Sequence, residues 1–172
     1  MNRRFFLSSA IRLGAFAALS HPALASASNL GGGTPTKGKV PFKKVVKTDA
    51  EWRRILTADQ YSVTRQKGTE APYSSPLNEI HAKGTFACVS CNLPLFSSKT
   101  KFESGTGWPS FWSPIDRRNV REEVDKSLGE VRTEVLCARC DAHLGHVFDD
   151  GPAPTGLRYC MNGVAMKFVA AK

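Results

Sequence analysis

A chain of 172 residues, 41% hydrophobic and 23% charged, with nothing approaching ~18 consecutive apolar residues, has the make-up of one soluble domain, not of a membrane-spanning or disordered protein. Its formal charge of +9 suggests a nucleic-acid binder only until it is mapped: residues 1–25 hold three arginines and residues 26–48 five lysines, neither with an acid, leaving +1 for the rest. A phosphate-binding surface needs its charge on the folded part, so nucleic acid is excluded as a partner.

In chain order, residues 1–25 read as an export signal. Arg3-Arg4 before Phe5-Phe6-Leu7 resembles a twin-arginine signal. The apolar run from Ala10 to Leu19 is broken by Arg12 and Gly14 and is too short to span a bilayer. Ala23-Leu24-Ala25 is a cleavage signature. The expectation is a periplasmic protein without stable membrane insertion, and a monomer. Residues 26–47, rich in Gly, Ser, Pro and Lys, read as a flexible basic linker, and residues 48–172 as the domain. Two capping boxes, Thr48-Asp49-Ala50-Glu51 and Thr57-Ala58-Asp59-Gln60, open two short helices, the first with Trp52, Ile55 and Leu56 on one face. Beyond residue 66 Gly and Pro recur every few residues. The pieces between them, Thr85–Ala87, Val131–Leu136 and Val164–Val169, read as strands. The fold class is mainly β and antiparallel, with short N-terminal helices.

Four of the five cysteines form two CxxC pairs, Cys88/Cys91 and Cys137/Cys140. Two such knuckles supply the four thiolates that tetrahedral zinc prefers, with no open position for water, so the expected site is structural. Two disulfides are the alternative in an exported chain, although a bridge within CxxC is strained. A set of Cys137, Cys140, His143 and His146 is a second alternative, one that leaves Cys88 and Cys91 without a role.

Cys160 stands alone in Arg158-Tyr159-Cys160-Met161-Asn162. Strand alternation puts Arg158, Cys160 and Asn162 on one face. A cation beside a thiol favours the thiolate, and an amide can donate to a polar substrate group, so the pattern is that of a nucleophile. His146 is a candidate proton donor, and Asp150 a carboxylate that could orient it. The stretch Ser104-Gly105-Thr106-Gly107-Trp108-Pro109-Ser110-Phe111-Trp112 offers an aromatic wall for an apolar group, or simply a packed turn.

These segments, from about Thr57 to Phe168, together resemble the R-stereospecific, B-type methionine sulfoxide reductases. The resemblance implies a fold of two antiparallel sheets, with structural zinc on Cys88, Cys91, Cys137 and Cys140. It implies a thiolate on Cys160 that attacks the sulfoxide sulfur and becomes a sulfenic acid. His146 matches the main acid and His143 and Asp150 its supports. Trp108 matches the residue that holds the substrate methyl, and Arg158 and Asn162 match further active-site positions. Many members carry a resolving cysteine where this chain has Thr106. The implied cycle therefore uses one cysteine, recycled by a small thiol or a thioredoxin-like protein, on oxidised proteins or peptides as substrate. A zinc-ribbon-like binding module and an exported thiol oxidoreductase using the CxxC pairs are the competing classes.

Overall fold

The computed structural model describes residues 42–172; the expected export signal, residues 1–25, and residues 26–41 of the expected linker lie outside them. Helices α1 (Asp49–Ile55) and α2 (Ala58–Gln66) start at the two capping boxes. Thr48 and Thr57 each accept from the backbone N–H three residues on, and Glu51 and Gln60 reach back to the cap N–H groups. On α1, Trp52 and Leu56 are buried one above the other, but Ile55 is 55% exposed. In a helix of two turns the i, i+4 pair takes the inward stripe and the residue between is rotated off it. Residues 42–47 are not a free tether. Phe42 and Val45 pack on the core, the Val45 N–H donates to the Arg139 carbonyl at 2.8 Å, and Lys44 pairs with Asp141 at 2.9 Å.

Among the described residues, nine strands form two antiparallel sheets. The smaller, in the order β2-β1-β9, comprises β1 (Gly84–Cys88), β2 (Pro94–Ser97) and β9 (Met166–Ala170). The larger, in the order β3-β4-β8-β7-β6-β5, comprises β3 (Lys101–Phe102), β4 (Ser110–Phe111), β5 (Val120–Asp125), β6 (Arg132–Cys137), β7 (His143–Phe148) and β8 (Arg158–Met161). The expected strands at 85–87 and 131–136 correspond to β1 and β6. The third begins later than expected, because residues 163–165 make a turn of 3₁₀-helix before β9.

Phe86 and Phe96 of the small sheet meet Phe111 and Tyr159 of the large one. Phe96 stacks on Phe111 at 4.5 Å between ring centroids, and Phe86 meets the same ring edge-on at 4.9 Å. Burying rings of this size supplies a large share of the apolar stabilisation, and offset or edge contacts are the preferred geometries. The core therefore lies between the sheets, and it takes one face of the large sheet. The other face carries the site.

Candidate active site

Strand register decides which side chains share that outer face. Cys160 on β8 pairs with His146 on β7 and with Ser110 on β4, and His146 pairs in turn with Glu134 on β6. Directly paired residues point to the same side of a sheet, so Ser110, Cys160, His146 and Glu134 form one transverse row. In regular alternation His143 and His146, three apart, would face opposite sides. A bulge at Leu144 corrects this: His143 pairs with Leu136 and Gly145 with Val135. Both imidazoles come to the outer face, 5.5 Å apart between ring centroids. Gly145 makes the bulge possible, since a Cβ there would lie 2.2 Å from the Cys160 carbonyl oxygen.

Thr69, Trp108, Arg132, Gly145, His146, Phe148, Cys160 and Asn162 line a cavity of about 160 Å³. That is the space of roughly five liquid waters, small enough to select a short group. A larger cavity, about 480 Å³, contains neither cysteine nor histidine.

Cys160 is partly buried, and burial pushes its thiol up from the ordinary value. The Thr106 hydroxyl, Arg158 and Ser110 pull the other way without overcoming it. The cation beside the thiol thus acts in the expected direction but does not decide the outcome. Arg158 is already engaged: it forks onto Asp150 with two bonds of 2.8 Å and lies over the Phe148 ring at 4.4 Å. Thr106 Oγ1 is 3.8 Å from Cys160 Sγ, and Ser104 links it to Ser110 through two 2.8 Å hydroxyl contacts.

The turn of residues 104–112 is both a packed turn and a wall. Gly107 adopts φ +91°, a conformation suited to glycine, and its carbonyl accepts from Tyr73 N–H and Asn78. Trp108 is turned into the cavity, and its indole N–H donates to the Glu70 carbonyl at 3.2 Å. Glu70 also donates its own N–H to Asn162 Oδ1, while its carboxylate accepts from the N–H groups of Gly163 and Val164. Asn162 donates to the Leu144 carbonyl and is buried. Its amide ties the irregular segment at Glu70 to the bulge, and it lines the cavity as well.

The two histidines have different carboxylates from the one expected. His146 Nε2 lies 2.8 Å from Asp125 Oδ2, at the end of β5, while Asp150 is occupied by Arg158. His143 Nδ1 lies 2.7 Å from Glu134 Oε1, and the second Glu134 oxygen accepts from Lys67 at 2.7 Å. Burial pushes His143 down from its ordinary value and outweighs the opposite pull of Glu134, so it is neutral at neutral pH. Burial pushes Glu134 up, but the bonds from Lys67 and His143 bring it below the usual carboxylate range. Asp125, Arg132, Glu134, Phe148 and Glu70 were not singled out by sequence reasoning. They lie 12 to 90 residues from Cys160, and only the β5–β6–β7 register identifies Asp125, Arg132 and Glu134, which sit in strands of ordinary polar alternation.

The four remaining cysteines converge away from the β8 thiol. Their sulfurs all lie within 4.8 Å of one another, with Cys88 and Cys140 at 3.7 Å and Cys91 and Cys137 at 3.5 Å. A disulfide needs about 2.05 Å. A tetrahedron of sulfurs at the usual zinc distance has edges of roughly 3.8 Å. The donor set therefore fits a closed metal site and not two disulfides. His143 and His146 are not among the ligands. Both knuckles are built alike: the residue after the second cysteine, Asn92 or Asp141, has positive φ and donates its N–H to the carbonyl of the first. Arg65 on α2 donates to the Cys140 carbonyl and approaches its sulfur at 3.5 Å. The site joins the end of β1 in one sheet to the β6–β7 connection in the other.

The SelR domain matches residues 56–170. A peptide methionine sulfoxide reductase MsrB of Hahella chejuensis is 55% identical over 128 residues, 74% of this chain and 92% of that protein. One of Pseudomonas putida strain GB-1 is 58% identical over 125 residues, covering 73% of this chain and 95% of the relative. One of Herminiimonas arsenicoxydans is 54% identical over 128 residues, 74% and 93% respectively. The chain belongs to the SelR family of MsrB-type peptide methionine sulfoxide reductases.

Proposed function

We propose that the protein reduces the R diastereomer of methionine sulfoxide, in oxidised proteins or peptides, by oxygen transfer to Cys160. One observation carries the reading: the single cysteine outside the four-sulfur cluster opens into the small cavity between Trp108 and His146. The indole face receives the substrate methyl group. The Cys160 thiolate attacks the sulfoxide sulfur while His146 delivers a proton to its oxygen. Oxygen passes to Cys160, two electrons pass to the substrate sulfur, and methionine leaves with Cys160 as sulfenic acid. Two external thiols, from a small molecule or a thioredoxin-like protein, then form a disulfide and water and restore Cys160. His143 supports the acid from beneath, and Asp150 acts through Arg158, holding the guanidinium near the thiol. Asn162 keeps the floor of the cavity in register.

Zinc is the metal that best suits four thiolates at this spacing, and Cys88, Cys91, Cys137 and Cys140 would hold it. It would supply cross-linking of the two sheets and no chemistry. Residues 1–25 would direct export to the periplasm by the twin-arginine route, residues 26–47 would connect the signal to the domain of 48–172, and the mature protein would act as a monomer. Supplying separate R and S sulfoxide peptides with dithiothreitol tests the reaction. Turnover of R, abolished by Cys160→Ser, is the expected result; turnover of S and not R refutes it.

A further inference from the structure

The carboxylate next to His146 in the sequence is not the one next to it in space. Asp150 is forked onto Arg158. Asp125, 21 residues upstream of the histidine, places Oδ2 at 2.8 Å from His146 Nε2, and the same oxygen accepts from Arg132 at 2.6 Å. Asp125 and Arg132 are the last cross-strand pair of the β5–β6 hairpin, so the carboxylate is held by the backbone register as well as by the guanidinium. Its other oxygen accepts from the Ser127 N–H at 2.9 Å. Bonds from Ser127, then His146 and Arg132, keep the carboxyl well below the usual carboxylate range, so it is ionised and can only accept. All three side chains of the row are sheltered, at 14% exposure for Asp125, 13% for His146 and 20% for Arg132.

We propose that Asp125, locked by Arg132, is the positioning residue that orients His146 for proton delivery in the reduction proposed above, on which this inference rests. An acceptor-only partner at Nε2 requires that nitrogen to carry hydrogen. Nδ1 makes no hydrogen bond among the described residues, and His146 lines the cavity that holds Cys160. Nδ1 is then the nitrogen that presents its proton to the sulfoxide oxygen. When that proton has gone, the ring is left as the neutral Nε2–H form, still held by Asp125. While the ring is cationic, the adjacent carboxylate offsets its charge in a site that water reaches poorly. Arg132 keeps the carboxylate from turning away and forms part of the cavity wall.

The test uses the metal-loaded protein. Long-range proton–nitrogen NMR of His146 should show the Nε2–H tautomer in the neutral ring of the wild type. Asp125→Asn should blur it into a mixture. The variant should lose on the order of 10²-fold in kcat on a methionine-R-sulfoxide peptide, the scale of a positioned acid. KM should stay within about threefold, because Asp125 does not touch the substrate. Asp125→Glu should restore part of kcat. Unchanged kcat with an unchanged tautomer in Asp125→Asn overturns the assignment. If that variant fails to fold, a wild-type His146 in the Nδ1–H form overturns it equally, and the Nε2–H form supports it. A Cys160→Ser protein that still turns over would instead overturn the proposed reaction and leave the tautomer result standing.

Discussion

Glu134 is 2% exposed, yet it is a carboxylate, and the cost of removing it can be worked from its partners. Glu134→Ala leaves the His143 Nδ1–H without an acceptor in a side chain that is itself 3% exposed. An unsatisfied buried donor costs about 1–3 kcal/mol. One lost buried methylene adds about 0.8 kcal/mol. Lys67 is 64% exposed and returns to water, so its share is within about 1 kcal/mol. His143 is neutral, so no charge is stranded, which keeps the cost below the roughly 3–5 kcal/mol of a broken buried ion pair. The expected loss is on the order of 2–3 kcal/mol. Glu134→Gln keeps an acceptor and should cost less than about 1.5 kcal/mol. Urea unfolding at saturating metal, followed by the tryptophan signal, measures both. The loss in the alanine variant should correspond to a fall in Tm of about 10 °C. If Ala costs under about 0.5 kcal/mol, or Gln costs as much as Ala, the burial argument for Glu134 is wrong.

Three further outcomes are expected. Thr106→Cys brings a second sulfur to about the 3.8 Å position of the present hydroxyl, within a side-chain rotation of a disulfide. One turnover without reductant should then change the protein mass by about −2 Da, where the wild type gains about 16 Da as sulfenic acid; a gain of oxygen in the variant would refute the geometry. In the native state His143 binds a proton less readily than an unfolded histidine. Between its ordinary value near 6.5 and its lower native value the unfolded chain therefore binds more protons, and stability falls as pH drops through that window. A His143→Gln protein should show a shallower fall as pH drops below about 6.5 at constant metal content, measured by thermal unfolding. Finally, metal analysis should find one ion per chain, and a chelator should lower Tm without oxidising any cysteine; retained stability after removal would argue against a structural role.

The parts of the fold visible in the sequence were those with short-range grammar. Thr48 and Thr57 with their Glu and Gln partners announced both helices, and the CxxC spacing announced the four-sulfur site. Cys160 stood out because Arg158 and Asn162, two residues away on its own face of the strand, are polar. The histidines' true partners were not legible, because a strand's polar positions look alike whether they meet water or a covering element. Glu134 in Val131-Arg132-Thr133-Glu134-Val135 reads as one more outward residue. It is buried because α2 packs on that face and ends in Lys67, whose left-handed φ of 57° turns its ammonium back onto the carboxylate. Proximity in sequence also misled. Asp150 follows His146 closely, but β7 ends at Phe148, and beyond it the chain turns toward Arg158 on β8.

The bulge at Leu144 makes the two histidines sensitive to length rather than to composition. Three positions separate them, an odd number, and the extra residue makes them act as if the number were even. Leu144 is also fully buried in the core, so its side chain is constrained by packing as well as by its place in the strand. Deleting Leu144 would remove the bulge and leave the histidines two apart, on one face by regular alternation, whereas inserting one residue beside it would send one imidazole into the aromatic core and leave the other without its companion. In the β5–β6 turn of 126–131 the constraint falls on Ser127, whose N–H holds the Asp125 carboxylate, while residues 128–131 are closed off by the Asp125–Arg132 pair. Descendants of this sequence should thus vary in length at residues 128–131 and admit no single-residue insertion within His143–His146, a pattern set by strand parity and not by the reactivity of any side chain.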